Sequence, residues 1–199
     1  MKKLKIPVLD NLPSIESEKT VQIRTKEEIV ERALALAYLG IKSEGAEKED
    51  LDKFEQRYQI TNLFTKKEKE FVLSDSPTEQ QKVDANWRYE SLHVLLWSLG
   101  YIDRLAYPDT ICNVADDIEI IATQTREQFL NGAKLRTKKE ILDQADLTYR
   151  LNWAVVNARV KGQETPARLD PSIVYERHYA LNWLINYMKA DWDNVSTDT

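Results

Sequence analysis

The sequence predicts an all-α protein: a single compact bundle of about six to eight helices, with three long ones at its centre. Three observations predict it. Turn formers are scarce, with 5 Gly and 6 Pro in 199 residues, too few for a chain that must reverse after every strand. Helix-start signals recur, at Thr25-Lys26-Glu27-Glu28, Ser76-Pro77-Thr78-Glu79, Thr137-Lys138-Lys139-Glu140 and Asp170-Pro171. Apolar residues between these starts follow the helical period rather than the alternation of a strand.

Each element can be justified in order. Residues 1–24 hold Pro7 and Pro13 in mixed sequence and read as a loosely ordered arm. At Thr25 the hydroxyl takes a backbone N–H of the first turn while Glu28 reaches back, a reciprocal cap. The helix that follows carries one stripe at Val30, Leu34, Ala37 and Ile41 and a second at Ile29, Ala33 and Leu36, so it is well buried, with Gly40 as its expected stop. A second helix spans Glu47–Tyr58, and Thr65-Lys66-Lys67-Glu68 starts a short third. Ser76, with Pro77 at the first helical position, opens a long helix that ends near Gly100. Its half Leu92-His93-Val94-Leu95-Leu96-Trp97-Ser98-Leu99 is apolar almost all round, as befits the middle of a domain.

Tyr101–Pro108 is a crossing loop, and Asn113 caps a helix through Ile121. From Thr137 the stripe Leu142, Ala145, Tyr149, Trp153, Val156, Val160 advances by three, four, four, three and four residues, and Gly162 ends it. Asp170-Pro171 opens the last long helix, expected to reach Met188. The three long central helices are thus 77–99, 138–161 and 171–188, within a helical domain 25–190 followed by a tail 191–199. One local echo stands out: Tyr149-Arg150-Leu151-Asn152-Trp153 resembles Tyr179-Ala180-Leu181-Asn182-Trp183, 30 residues on.

Composition excludes several functions. Net charge is −5, from 28 basic and 33 acidic residues, and no basic stripe is present, so no nucleic-acid partner is expected. No stretch approaches the roughly 20 apolar residues a membrane span needs, and the basic start lacks a signal-peptide apolar core, so the expectation is a cytoplasmic protein with no membrane partner. A single cysteine, Cys112, excludes an internal disulfide and any multi-cysteine zinc site, and reads as a buried structural thiol. Two histidines, His93 and His178, exclude a three-histidine metal site. Phosphate-binding glycine loops, the Gly-x-Ser-x-Gly elbow and His-Glu-x-x-His are all missing, so no cofactor and no metal is expected.

Longer motifs point to a family. Trp87-Arg88-Tyr89-Glu90-Ser91-Leu92 with Leu95-Leu96-Trp97-Ser98-Leu99-Gly100 resembles a bacterial family of unknown function, domain of unknown function 4272. The likeness continues at Tyr149-Arg150 with Trp153-Ala154, and at Glu176-Arg177-His178 with Ala180-Leu181-Asn182-Trp183-Leu184. It closes on Trp192-Asp193-Asn194-Val195 and Asp198-Thr199, and helix Glu28–Leu39 also fits. The resemblance implies one compact cytoplasmic unit and carries no mechanism.

The residues themselves offer one constellation. An acid precedes a tryptophan by seven residues three times: Glu90 and Trp97, Asp146 and Trp153, Glu176 and Trp183. Seven residues are nearly two helical turns, so each pair shares a face. Glu90 and His93 also form the Glu-x-x-His unit of di-iron bundles, but a second such unit is missing because His178 follows Glu176 by two residues rather than three. Arg177 lies in the apolar stripe Val174, Leu181, Leu184, Met188, and Arg150 stands one turn after Asp146. A buried arginine needs a carboxylate and satisfied hydrogen bonds. These residues therefore read first as an internal arginine–carboxylate network that fixes helix register. The alternative is a pocket for an anionic small molecule, in a binder or an enzyme, formed by Arg88, Glu90, Arg150, Trp153, Glu176, Arg177 and Trp183. The leading functional expectation is a non-catalytic role: an adaptor or neutralising partner that binds another protein.

Overall fold

A computed structural model describes Met1 and Leu4–Asp198. Lys2, Lys3 and Thr199, at the start of the arm and the end of the tail, lie outside the described residues. The fold is all-α: eight α-helices and three short 3-10 helices, with no strand among the described residues. The α-helices are α1 (Lys26–Ser43), α2 (Lys48–Tyr58), α3 (Lys66–Val72), α4 (Glu79–Ser98), α5 (Val114–Ala122), α6 (Arg126–Gly132), α7 (Lys138–Val160) and α8 (Pro171–Leu184). None of the described helices is long and apolar enough to cross a membrane.

The chain divides into two compact units. One holds Arg24–Leu105 and Cys112–Leu135, hence α1 to α6; the other holds Met1–Ile23, Ala106–Ile111 and Arg136–Thr199, hence α7 and α8. In the first unit α1 lies along α4. Both bury long stretches: Ile29, Val30 and Ala33 through Ala37 of α1 are at most 2 % exposed, and Leu92, Val94, Leu95 and Leu96 of α4 are 0 % exposed. In the second unit α7 packs on α8. Ile6 of the arm joins Leu151, Ala154 and Val155 of α7, Leu169, and Val174 of α8 in one apolar cluster.

Local signals place most starts where the sequence predicts them. Thr25, Thr65 and Thr137 each accept the N–H three residues on while Glu28, Glu68 and Glu140 return the bond. Asn113 and Asp170 cap α5 and α8. Thr125 with Gln128 caps α6, a helix the sequence reading did not identify.

Four details differ from expectation, each for a physical reason. Helix α4 starts at Glu79, not Pro77, because Thr78 and Gln81 close the reciprocal cap and leave Pro77 outside it. Gly40 does not stop α1, which runs to Ser43; it lies inside the helix because a Cβ there would stand 2.3 Å from Tyr89 Cζ. Helix α8 ends at Leu184, since Asn186 turns left-handed at φ 52°, with Met188 at φ 54° and Lys189 at φ 56° after it. On α7 the expected stripe marks the edge of the buried face rather than its centre. Thr148 and Asn152 point inward, at 2 % and 4 % exposure, while Val160 is 78 % exposed.

Candidate functional site

The tail of the second unit is held by the repeated tyrosine–asparagine–tryptophan pattern. Asn152 Nδ2 on α7 donates to the Thr197 carbonyl at 3.1 Å, and Asn182 Nδ2 on α8 donates to the Ser196 carbonyl at 2.8 Å. Tyr179 OH donates to the Trp192 carbonyl. The Trp192 ring, 4 % exposed, meets Tyr179 and Trp183 edge-on at 5.1 and 5.4 Å. The echo is therefore a pair of tail anchors: corresponding asparagines on two neighbouring helices satisfy successive carbonyls of one non-helical segment.

Beside this anchor lies a cavity of about 200 Å³, lined by Pro13–Glu16 of the arm, Tyr149, His178, Asn182, Ile185, Tyr187 and Asp198. The hydrogen bonds fix the state of His178. Asn182 Nδ2 faces a carbonyl, so its nitrogen is a donor, and it also stands 3.1 Å from His178 Nε2. That ring nitrogen must accept, which places the proton on Nδ1. Nδ1 has no hydrogen-bond partner among the described residues although the side chain is 1 % exposed. Burial pushes the imidazole down to about 4, so it stays neutral at ordinary pH. The result is a buried N–H donor, in a ring that lines a cavity, with no acceptor among the described residues. Tyr149 lies at 5.8 Å from the same ring.

A second polar cluster sits in the first unit. Glu90 and His93, one turn apart on α4, meet the segment that leads into α5. Glu90 Oε1 accepts the Cys112 N–H at 2.5 Å. His93 Nδ1 lies 3.0 and 2.9 Å from the two oxygens of Asp117. Asp117 and Glu90 are each 2 % exposed, and Cys112 is 9 % exposed. Burial first, and then the carboxylates of Glu90 and Asp117, push the Cys112 thiol far up and keep it protonated. Reading along the chain finds no histidine near Cys112; the fold brings His93 to it from 19 positions away.

The seven residues expected to form an anion pocket divide between the units, Arg88 and Glu90 in the first and the other five in the second. None of them lines the His178 cavity. Arg150 makes the expected one-turn pair, with Nε and Nη2 at 2.8 and 3.0 Å from the two Asp146 oxygens. Arg177 is buried as expected, and its Nη1 donates to the Ala106 carbonyl at 2.6 Å. Glu176 is 5 % exposed beside it, Trp153 edges the Ile6 cluster and Trp183 receives Trp192. Sequence reasoning missed His178, Asn182 and Tyr149 as a group; the echoed pattern around Asn152 and Asn182 was the signal that held them.

Fold and site together define an all-α protein whose chemistry-bearing side chains gather at two buried places on long helices. A family model described as Domain of unknown function (DUF4272) matches residues 1–195, and the chain belongs to that family. No curated protein and no solved structure matches the chain.

Proposed function

We propose that the protein binds a small polar molecule in the His178 cavity. The observation that carries this reading is the cavity against the His178 ring, whose Nδ1–H is a buried donor with no acceptor among the described residues. Leaving such a group unsatisfied costs roughly 1–3 kcal/mol. Nδ1 has almost no accessible surface, so a ligand oxygen recovers that cost once the ring rotates to present the N–H to the cavity. The cavity, at about 200 Å³, is smaller than the roughly 300 Å³ at which drug-sized pockets begin, so the ligand is of metabolite size.

The lining also selects charge. Among the described residues it contains Glu16 and Asp198 and no lysine or arginine, with the rings of Tyr149 and Tyr187 alongside. Carboxylates and tyrosine faces favour a cation. The ligand class is therefore a small organic cation that also carries a carbonyl or carboxylate oxygen, rather than the anion the arginines suggested. Binding of another protein, the leading expectation from sequence, draws support from the exposed side chains of Leu73, Ile111, Val160 and Met188. These lie on four different segments, and scattered apolar residues are ordinary on protein surfaces. The cavity is the more specific feature.

Isothermal titration with glycine betaine and carnitine, against choline and agmatine as cations without a carbonyl oxygen and acetate and phosphate as anions, tests the reading. Saturable binding of an oxygen-bearing cation that is lost in His178→Phe and weakened in Asp198→Asn supports it, provided circular dichroism shows both variants folded. Preference for the anions, or affinity untouched by both substitutions, overturns it.

A further inference from the structure

The geometry points to a divalent transition-metal site, best suited to zinc, formed by His93, Cys112 and Asp117 in the α1–α6 unit. One ligating atom from each of the three lies within 4.8 Å of the others. Tetrahedral zinc with bonds of about 2.0–2.3 Å holds its ligand atoms about 3.5 Å apart, so the cluster needs only small side-chain adjustments to close on an ion. The donor set is one sulfur, one imidazole nitrogen and one carboxylate oxygen, a borderline-soft mixture that suits zinc rather than calcium or magnesium.

Charge supports the assignment. Thiolate and carboxylate carry two negative charges between them and the imidazole is neutral, so a divalent ion balances the charge of its three ligands. The exchange balances: zinc enters, the Cys112 S–H bond breaks as the Zn–S bond forms, and that proton leaves to solvent with any proton held between His93 Nδ1 and Asp117. Glu90 is a positioning residue. Its bond to the Cys112 N–H fixes the backbone that carries the sulfur, the role outer partners take around metals. Its spacing from His93 places both on one face of α4, so two adjacent turns of one helix aim at the loop that supplies Cys112 and the first turn of α5 that supplies Asp117. Three ligands leave a fourth position open, for water or a substrate oxygen.

The full chain is stripped with chelator and titrated with Co²⁺ and then with Zn²⁺ against a chromophoric competitor. The expected result is one ion per chain and a thiolate-to-cobalt charge-transfer band, abolished by zinc. Cys112→Ser removes that band and weakens zinc by at least about tenfold, Glu90→Leu, which removes the acceptor, keeps the band with about tenfold weaker binding while Glu90→Gln, which retains a carbonyl acceptor, binds close to native, and His178→Asn changes neither. Because a buried substitution can unfold the protein, a second measurement uses the native chain: zinc slows alkylation of Cys112, its only thiol, read by mass. A native protein without the band, a band that persists in Cys112→Ser, or alkylation unaffected by zinc overturns the site.

Discussion

The two histidines face opposite surroundings, and the contrast shows how neighbours decide what an imidazole can do. His93 is set against a buried carboxylate, Asp117, with a thiol at hand. His178 is set against an amide, a tyrosine ring and a cavity, with Asn182 its one side-chain hydrogen-bond partner among the described residues. An acid partner fixes the orientation of a ring, as carboxylates do for histidines that ligate metals. An amide partner holds it neutral and leaves a donor to spare. The same residue type thus offers a metal ligand in one unit and a neutral recognition group in the other.

The comparison is sharpened first by the fully ionic case in the His93 unit. Arg32 Nη2 and Glu68 Oε2 meet at 2.7 Å with 6 % and 9 % of their side chains exposed, tying α1 to α3. Glu68 also caps α3 through the Thr65 N–H. Deleting one member of such a buried pair costs about 3–5 kcal/mol, so Glu68→Ala should give the largest fall in urea midpoint among these variants. A loss below about 1 kcal/mol would show that the pair is not needed.

Next comes the neutral case. A histidine lowered from 6.5 to about 4 on folding binds more protons unfolded than folded between those values. Stability is then fully present above pH 6.5 and falls as pH drops towards 4, by about 3 kcal/mol in all. Urea melts of native protein and His178→Asn across this window should diverge, with the native slope steeper. Parallel slopes would mean that His178 is not buried and neutral.

How much of this could be read from the sequence depends on distance along the chain. The caps at Thr25, Thr65, Thr137 and Asp170 were legible because partner and cap lie within three residues. Gly40 was misread because its reason is the Tyr89 ring, 49 positions away. The helical period of α7 was right, but its face was misjudged, because Asn152 turns inward to meet a tail carbonyl that no periodicity encodes. The Glu90–His93 spacing was visible, whereas Cys112 and Asp117 reach it only through the turn into α5. His178 resembled a core residue, and only the double role of Asn182 reveals its tautomer.

Smaller effects separate the two tail anchors. Asn182 Nδ2 serves both His178 Nε2 and the Ser196 carbonyl, while Asn152 has one tail carbonyl to serve. Asn182→Ala should therefore cost about 2–3 kcal/mol and Asn152→Ala about 1–2, both read from chemical melts. Asn182→Ala should also free the His178 tautomer, visible as a changed pattern of imidazole nitrogen shifts by NMR. Equal losses would make the echo a packing coincidence.

The smallest effect belongs to Asp146→Asn. Its pair with Arg150 is bidentate, but both side chains are partly open to solvent, at 34 % and 23 % exposure. One-turn ion pairs on helices contribute about 0.3–0.5 kcal/mol, and salt screens them. The variant should melt within about half a kcal/mol of the native chain at low salt and indistinguishably at high salt. A loss several times larger that persists in salt would return Asp146 to the buried arginine–carboxylate network that its one-turn spacing from Arg150 first suggested.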